Sequence, residues 1–301
     1  MSVGVVAIGR NEGERLRRCL QSALAQCPRV VYVDSGSTDG SVAMAEAMGV
    51  AVVNLDMAQP FTAARARNAG FERLKSELPG VRFVQFVDGD CEIVAGWIDA
   101  AVAFVNDRPT VGVVCGRRRE RYPEATVYNR LCDIEWDTPV GQTRACGGDA
   151  LYRTTAFEDA GGFAPDLIAG EEPELCFRLR ERGWEVWRID REMTMHDAAM
   201  QRFGQWWKRN VRSGHAYAEW VQRHGASPER MGVREVVSNL IWSLPVSWPL
   251  WPVLFWRVYR RRPDAAYAAA IVLGKLPHLQ GHVKFWLDRA RGRHARIIEY
   301  K

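Results

Sequence analysis

The sequence has few of the features that would point to disulfides, zinc or export. Its seven cysteines are an odd number and include no Cys-x-x-Cys pair, which disfavours a disulfide framework or a structural zinc site. The N-terminal apolar run is short, lacks a basic segment before it, and is followed directly by Asn11 and Glu12, unlike a secretory signal. We therefore expect a cytoplasmic protein in a reducing compartment.

An unbroken hydrophobic run of membrane-spanning length is also missing. Val236–Trp256 carries no charge, but Pro245, Pro249 and Pro252 interrupt it, and each proline removes a backbone donor. The whole chain of 301 residues is 47% hydrophobic and 26% charged, which is a globular composition. These values exclude a disordered chain and a polytopic membrane bundle, and we expect no regular helix across Val236–Trp256.

Charge is distributed unevenly along the chain. Residues 1–200 carry 23 basic and 30 acidic side chains, whereas residues 201–301 carry 18 basic and 6 acidic ones and 8 of the 12 tryptophans. This division predicts a catalytic domain over 1–200 and a basic, tryptophan- and arginine-rich helical region over 201–301. The second region should meet an anionic partner.

The partner of the C-terminal region is interpreted as an anionic membrane surface. Tryptophans recur between residues 242 and 256, and Arg257, Arg260, Arg261 and Arg262 follow them, as at a bilayer interface. Nucleic acid is disfavoured because the basic residues alternate with long prolyl-tryptophan apolar stretches. We expect a peripheral protein on the cytoplasmic face of the membrane. The alternative is a helical subdomain that packs these tryptophans against the catalytic domain.

The first 120 residues alternate apolar β-branched runs with helical stretches, which predicts a parallel sheet covered on both faces. The predicted strands are Val3–Ile8, Val30–Asp34, Ala51–Asn54, Arg82–Asp88 and Val111–Cys115. The predicted helices are Glu14–Ala25, Ser41–Met48, Ala63–Lys75 and Trp97–Asn106. Further on, we expect a strand over Gly147–Tyr152, a helix over Pro173–Arg182 with Pro173 at its first position, and a strand over Glu185–Ile189.

Polar side chains gather where the predicted strands end, at Arg10–Glu12, Asp34–Asp39 and Asp88–Asp90. Ligands of open α/β sheets bind in the crevice at the carboxyl ends of the strands, so these clusters predict a binding site. Asp88 and Asp90 flank Gly89 and can hold a hard divalent cation against phosphate oxygens. An ordinary acidic turn is the alternative at Asp88–Asp90, and a turn with a helix cap is the alternative at Asp39.

Four further candidate residues come from outside these clusters. Arg67 lies among alanines on a predicted helix, which would let a bulky anion approach it closely. Glu171 and Glu172 precede a helix, where acidic residues complement the helix dipole but where a carboxylate can also act as a general base. His196 is a candidate cation ligand, against the more common structural role of a single histidine.

Several motifs occur in the same order as in family 2 glycosyltransferases of the GT-A fold, and the sequence resembles that family. The motifs are Ala7–Asn11, Asp34–Gly40, Ala66–Gly70, Asp88–Asp90, Gly147–Arg153 and Gly170–Leu175, and the resemblance covers about residues 1–200. It implies an α/β fold with a Rossmann-like mixed sheet flanked by helices, and an inverting enzyme with a UDP- or GDP-linked sugar donor. It also implies that Asp39 and Arg10–Glu12 read the nucleotide base.

The same resemblance implies roles for the remaining candidates. Arg67 would lie near the diphosphate, Asp88 and Gly89 near the ribose, and Asp90 on a manganese or magnesium ion. Glu172 matches the catalytic base position, although Glu171 beside it leaves the choice within the pair open. Beside the resemblance, His196 is a candidate for the metal, and Trp136 and Asp149 are candidates for the acceptor. Arg209 and Arg212 are candidates for the diphosphate, with an ordinary basic amphipathic helix as the alternative.

The reaction expected from this resemblance is the transfer of one hexose to an acceptor hydroxyl. The Gln-x-x-Arg-Trp signature of processive synthases is missing, and Gln205–Arg209 only comes near it, so single transfer is favoured over polymerisation. The acceptor would be a glycan or a lipid-linked molecule, in cell-surface polysaccharide or glycolipid synthesis.

Two alternatives differ in class. A sugar nucleotidyltransferase would need a glycine-rich phosphate loop after the first strand, and Gly9–Gly13 is a poor version of one. A non-catalytic membrane adaptor built on a degenerate transferase fold would have lost its site carboxylates, and all of them are present.

Overall fold

The computed structural model describes residues 2–292 and 297–298, which form two units. The first unit holds the chain up to Arg121 together with Glu135–Leu167 and Glu171–Ala198. The second holds Tyr122–Ile134, Ile168–Gly170 and the chain from Ala199 onward. The predicted division into domains 1–200 and 201–301 stays a prediction, and residues 293–296 and 299–301 of the latter lie outside the described residues.

The described part of the first unit contains a mixed sheet of nine strands in the order β3-β2-β1-β4-β8-β6-β9-β5, with β7 paired to β9. The strands are β1 Val3–Gly9, β2 Val30–Asp34, β3 Ala51–Asn54, β4 Phe83–Asp88, β5 Cys91–Ile93, β6 Val111–Glu120, β7 Gly141–Gln142, β8 Ala150–Arg153 and β9 Glu185–His196. The first four are parallel, as expected, but β8 inserts antiparallel between β4 and β6. The mixed sheet confirms the fold class that the resemblance implied.

Helices α1 to α7 lie between the strands. They span Glu14–Leu24, Ser41–Ala47, Ala63–Glu77, Trp97–Asn106, Val127–Trp136, Thr154–Asp159 and Glu171–Glu181. Leu16, Cys19, Leu20 and Ala23 form the buried stripe of α1, the spacing of an amphipathic helix. The Thr62 side chain accepts a hydrogen bond of 3.1 Å from the Arg65 backbone and so fixes the start of α3.

Four predicted boundaries are wrong in ways that matter for the site. Strand β6 ends at Glu120 instead of Cys115, and β8 begins at Ala150 instead of Gly147. Helix α7 begins at Glu171, so Pro173 is its third residue and both glutamates lie in its first turn. Proline is tolerated in the first turn of a helix, because the backbone N–H groups there have no intrahelical partner. Strand β9 runs on to His196 instead of ending at Ile189, because its second half pairs with β6 and β5.

An aromatic cluster fixes the register between β4 and β8. The Phe86 ring lies 5.6 Å from Tyr152, 5.3 Å from Phe157 and 5.2 Å from Phe163, measured between ring centroids. Phe86 pairs with Ala150 across the two strands. Since β4 and β8 are antiparallel, this pairing brings the residues just before Ala150 to the carboxyl end of β4, where Asp88 lies.

The second unit is helical in its described part, which confirms the helical C-terminal extension. After α8 at Phe203–His224 come α9 at Val233–Ser243, a 3-10 helix at Pro245–Leu250, α10 at Trp251–Arg261, α11 at Ala265–Leu273 and α12 at Lys275–Ala290. Helix α12 packs against α8 and α9. The prolines split Val236–Trp256 into three segments, as predicted. Among the described residues, no helix combines the length and apolarity that crossing a bilayer requires.

Candidate functional site

Hydrogen bonds of one residue, Asn11, join the loop after β1 to the loop after β2. Oδ1 of Asn11 accepts a hydrogen bond of 2.7 Å from the Thr38 backbone, and the Asn11 backbone N–H donates to Oγ of Ser37 at 2.9 Å. Asn11 has a φ of 54°, which an asparagine adopts more readily than most residues. Arg10 is exposed on the same loop, and the Glu12 carboxylate pairs with Arg15 at 2.6 Å.

Asp39 lies at the start of α2 on the second of these loops. Its Oδ1 accepts hydrogen bonds from Oγ of Ser41 at 2.6 Å and from the Ser41 backbone at 3.1 Å. The Ser41 hydroxyl bond lowers the pKa of Asp39 below its usual value, so the side chain is an anion at neutral pH. The turn that we gave as the alternative at Asp39 is therefore present, and it leaves the side chain at the carboxyl edge of the sheet.

Asp88 ends β4 between two arginines. Its Oδ1 lies 2.7 Å from Nη2 of Arg67, and its Oδ2 lies 3.3 Å from Nη2 of Arg118. The next residue, Gly89, packs against β1, where an added Cβ would lie 3.0 Å from the carbonyl oxygen of Ile8. At the end of β4, Gly89 is thus packed closely against β1, and the Asp88 carboxylate lies between the guanidinium groups of Arg67 and Arg118.

Asp149 is fully buried and organises this region from within. It accepts hydrogen bonds from the Asp88 backbone at 3.0 Å and from Oγ1 of Thr194 at 2.7 Å, and it lies 2.8 Å from Arg118. Asp149 therefore has a positioning role in this structure, and its predicted contact with the acceptor stays a prediction. It joins β4, β6 and β9 at one point.

Arg67 is the centre of a buried cluster of carboxylates. Its side chain is 2% exposed, and Nη1 lies 2.8 Å from Oε1 of Glu171 and 3.2 Å from Oε1 of Glu172, while Nη2 reaches Asp88. Burial alone would lower the pKa of Arg67, but Glu172, Asp88 and Glu171 outweigh it and raise that pKa above its usual value. A contact between Arg67 and a diphosphate stays a prediction.

Glu171 and Glu172, the first two residues of α7, differ in their access to solvent. The Glu171 side chain is 3% exposed, whereas that of Glu172 is 15% exposed. Burial, the neighbouring Glu171 and Asp88 raise the pKa of Glu172 to about 7, with Arg67 opposing the rise. Glu172 is therefore the accessible member of the pair, and its pKa lies near neutral pH, where a general base is most effective.

The backbone at Gly148 approaches this cluster more closely than any side chain would allow. A Cβ there would lie 2.6 Å from Nη2 of Arg67, 2.9 Å from Oδ2 of Asp88 and 3.0 Å from Oε1 of Glu172. A Cβ at position 148 would force the charged ends of these side chains to shift, so glycine there permits the observed arrangement of the cluster. The Gly147-Gly148 segment is thus part of the site.

Asp90 and His196 form the candidate cation site. Nε2 of His196 lies 3.3 Å from Oδ2 of Asp90, and both residues are buried. Cys91 is close to both, but burial raises the pKa of its thiol well above the usual value, so it stays a neutral, poor ligand for a hard cation. Among the described residues, Nδ1 of His196 has no hydrogen-bond partner, and the Glu120 carboxylate lies 3.6 Å from it.

This arrangement fits a divalent cation. A metal-binding imidazole commonly has a carboxylate near its second nitrogen, which orients the ring, and Glu120 has that position. An oxygen ligand from Asp90 and an imidazole nitrogen from His196 suit manganese, and the oxygen suits magnesium as well.

Trp136 connects the cation candidates to the Asp88 region. Its ring meets the His196 ring edge to face at 4.7 Å between centroids, and the Arg118 guanidinium lies 5.4 Å from its centroid. Trp136 is half-buried and lies within the site, and its predicted acceptor contact stays a prediction. Arg209 and Arg212 lie on α8 of the second unit, and their proposed role at the diphosphate is likewise untested.

Three site residues were missed from the sequence: Arg118, Glu120 and Thr194. Arg118 and Glu120 belong to the polar run that ends β6, and a strand whose end turns from apolar to charged is the same signal that identified Asp88. Thr194 had no signal, because an isolated threonine in a strand is ordinary.

A mixed sheet with helices on its faces and acidic residues at the carboxyl ends of its strands defines the class as a GT-A glycosyltransferase. Residues 4–158 match the family model described as glycosyl transferase family 2, and the chain belongs to that family. The protein is therefore a glycosyltransferase, and the sequence-based assignment to this family is confirmed.

Two relatives share much of the chain. One is glycosyltransferase AglE of Haloferax volcanii, 25% identical over 256 residues that cover 80% of each protein. The other is the pre-mycofactocin glycosyltransferase of Mycobacterium tuberculosis, 27% identical over 238 residues. That match covers 74% of this chain and 48% of the mycobacterial protein, so the aligned part is about half of its length.

Solved structures share the fold at low identity. The mannosyltransferase PcManGT from Pyrobaculum calidifontis, in complex with GDP-Man and Mn²⁺, has a TM-score of 0.67 at 19% identity, covering 96% of this chain and 88% of that one. TarS of S. aureus has a TM-score of 0.57 at 14% identity, covering 96% and 55%. At these identities the likeness concerns the fold.

Proposed function

We propose that the protein is an inverting glycosyltransferase that moves one hexose from a UDP- or GDP-linked donor to an acceptor hydroxyl. The observation that carries this proposal is Glu172, the accessible carboxylate of the Glu171–Glu172 pair, whose pKa is near 7. Asp88 is more exposed, but its two oxygens are paired with Arg67 and Arg118. One base and one displacement from the face opposite the leaving group invert the anomeric configuration. A retaining enzyme with a covalent intermediate would need a second carboxylate as nucleophile.

Glu172 accepts the proton of the acceptor hydroxyl as that oxygen attacks the anomeric carbon. Glu171 does not share this role, because its carboxylate is buried against Arg67. It instead helps to hold the arginine, and the negative charge of Glu171 helps to keep the pKa of Glu172 high. The pair therefore divides into a base and a positioning residue.

The donor lies, in this proposal, along the carboxyl edge of β1, β2 and β4. Arg10, Asn11, Glu12 and Asp39 contact the nucleotide base, Asp88 and Gly89 the ribose, and Arg67 the diphosphate. The hydrogen bonds of Asn11 to the neighbouring loop support this, because they hold two recognition loops in one arrangement. The PcManGT structure contains a nucleotide sugar on the same fold, which supports the donor class.

Asp90 and His196 would hold a manganese or magnesium ion, with Glu120 orienting the imidazole. When bound, the ion neutralises the charge that grows on the departing nucleoside diphosphate. PcManGT was solved with Mn²⁺, which supports manganese as the first ion to test.

The acceptor is proposed to be a glycan or a lipid-linked molecule at the cytoplasmic membrane face, in polysaccharide or glycolipid synthesis. The support is a continuous exposed apolar segment from α9 to α10, which we call the α9–α10 face. Its members are between 45% and 82% exposed: Leu240, Ile241, Leu244, Val246, Trp248, Leu250, Val253 and Trp256. Arg257, Arg260 and Arg261 follow and are exposed, so the face combines apolar insertion with charge complementary to anionic lipid.

The test of the proposed function is a panel of UDP- and GDP-sugars, measured by thermal shift with and without Mn²⁺. The accepted donor should raise the melting temperature more with Mn²⁺ than without it. The anomeric configuration of the product, read by proton NMR, should be opposite to that of the donor. Retention would overturn the single-base mechanism, and release of pyrophosphate from a nucleoside triphosphate would instead indicate a nucleotidyltransferase.

A further inference from the structure

Trp220, on α8 of the second unit, binds the residue that precedes Glu171 and Glu172. Its indole Nε1 donates a hydrogen bond of 3.1 Å to the carbonyl oxygen of Gly170. Trp220 and Gly170 both belong to the second unit, and the next residue of the chain, Glu171, begins α7. This hydrogen bond is therefore internal to the second unit, but it lies one peptide bond away from the Glu171–Glu172 pair.

The indole also packs directly against Gly170. A Cβ at position 170 would lie 2.5 Å from Cζ2 of Trp220 and 3.0 Å from its Nε1. Gly170 has a φ of 73°, in the left-handed region that glycine adopts without strain. The ring of Trp220 thus occupies the space beside the Gly170 Cα and aims its N–H group at the carbonyl of the same residue.

Trp220 is itself held by its neighbours in the second unit. The Tyr217 ring meets the Trp220 ring edge to face at 5.3 Å between centroids, and it also meets the His278 ring of α12 at 5.4 Å. At the start of α9, a Cβ on Gly232 would lie 3.1 Å from Cβ of Trp220, so the backbone packs closely there. A side chain packed in this way keeps one rotamer and is a rigid donor.

A hydrogen bond to the Gly170 carbonyl constrains the backbone of Glu171. The carbonyl of Gly170 and the N–H of Glu171 belong to one planar peptide group, so a bond to the oxygen orients the whole plane. The Glu171 side chain is held separately, because its Oε1 accepts a hydrogen bond of 2.8 Å from Nη1 of Arg67. Glu171 is therefore fixed at both its backbone and its side chain, and Glu172 follows it directly.

We propose that Trp220 is a positioning residue for the reaction, which fixes through Gly170 and Glu171 the backbone from which Glu172 reaches the acceptor hydroxyl. This inference rests on the proposed role of Glu172 as the general base. A base must lie within hydrogen-bond distance of the proton that it accepts, and a displacement of about 1 Å can lower a rate by about 10²-fold. Trp220 acts on the rate without contacting the substrate.

Trp207, on the same helix, offers a matched control. Its Nε1 also donates a hydrogen bond, of 2.8 Å, to Oε1 of Gln280 on α12. Trp220→Phe and Trp207→Phe each remove one indole N–H group and keep an aromatic ring. The two variants differ in the acceptor that loses its donor, which is the residue before α7 in one case and a side chain of α12 in the other.

The first experiment compares the steady-state kinetics of these variants, well below their melting temperatures. Trp220→Phe should lower kcat by about tenfold or more and change the KM for the donor by less than about twofold, because the base is displaced and the donor loops are not. Trp207→Phe should leave both constants within about twofold of the wild type. Equal kcat values in the two variants, or a raised donor KM with an unchanged kcat in Trp220→Phe, would overturn the inference.

The second experiment introduces Trp220→Phe into Glu172→Gln. If Trp220 acts through the base, its loss should lower kcat by less than about twofold in this background, because the base is already absent. A structural role would lower kcat by the same factor in both backgrounds. That result would overturn the positioning role of Trp220 and leave Glu172 as the base. Full activity of Glu172→Gln alone would instead contradict the proposed base, and the inference with it.

Discussion

Arg67 donates a hydrogen bond of 2.8 Å from Nη1 to Oε1 of Glu171, and both side chains are at most 3% exposed. This pair joins α3 to the first turn of α7 across the site. Because Glu171 is held there, the adjacent Glu172 is left as the accessible carboxylate, in a field that keeps its pKa high. The division of roles between the two glutamates is the basis of the first two predictions.

Glu172→Gln should lower kcat by about 10²-fold or more while donor binding persists, because glutamine keeps the shape but accepts no proton. Glu171→Gln should lower kcat less and lower the melting temperature more, because it weakens a buried ion pair with Arg67. Steady-state kinetics, donor binding and thermal unfolding of both variants are the measurements. A lower kcat in Glu171→Gln than in Glu172→Gln would assign the base to Glu171. Full activity in both variants would contradict the proposal that either glutamate is the general base.

The pKa of about 7 at Glu172 predicts an acidic limb in the pH profile. Below that pH the base is protonated, so kcat/KM should fall about tenfold for each pH unit. The free energy of unfolding changes with pH in the opposite direction to kcat/KM. A raised carboxyl pKa favours the protonated form in the fold, so this stabilisation is present below the unfolded value near 4.5 and is lost as pH rises through about 7.

The pH prediction is checked by comparing the wild type with Glu172→Gln. The acidic limb and the fall in melting temperature between about pH 4.5 and 7 should both be smaller in the variant. An identical profile in the two proteins would assign the titration to another group.

Asp90→Asn should abolish transfer and remove the Mn²⁺-dependent part of nucleotide-sugar binding, because an amide is a much weaker ligand than a carboxylate for a hard cation. The measurements are activity and donor affinity over a Mn²⁺ titration. Asp99→Asn is a matched control, since Asp99 is exposed on α4 and not among the candidate ligands. Wild-type activity that persists in a strong chelator would contradict the cation proposal.

Replacing Val246, Trp248 and Trp256 together by serine should release the full-length protein from vesicles containing anionic lipid. These side chains are between 49% and 82% exposed, so the melting temperature should change little. Co-sedimentation with vesicles at low salt measures the binding, with a triple change of Arg257, Arg260 and Arg261 to glutamine as the electrostatic counterpart. Equal sedimentation of all three proteins would show that the α9–α10 face does not bind the membrane.

Point variants are preferable here to a truncation at Glu235. That truncation would remove α12, whose residues pack against α8 and α9, and would expose the apolar surface of α8. The resulting protein would sediment because it aggregates, whatever the role of the α9–α10 face.

The part of the fold that follows local rules could be predicted from the sequence. Strands β2 and β3 and helix α4 have their predicted bounds, because an apolar β-branched run or an amphipathic period is decided by nearby residues. The insertion of β8 between β4 and β6 was not predicted, since pairing between distant strands depends on side-chain packing such as that around Phe86.

The site was predicted as a set of residue types at strand ends, but not as a network. Arg118 shows why. In the run Arg117–Arg119 the side chains alternate between the two faces of β6, so Arg118 reaches Asp88 and Asp149 while Arg119 pairs with exposed Glu192. Three consecutive arginines look equally solvated in the sequence, and only the sheet register separates them.

The burial of Arg67 makes the site depend on parts of the chain that are far apart in sequence. Its partner Asp88 follows 21 residues after it, but Glu171 follows 104 residues after it. Because counter-charges stabilise a buried guanidinium, the cluster is complete only when α3, β4 and α7 are all in place. A segment that ends before α7 therefore lacks the proposed base together with one of the partners of Arg67.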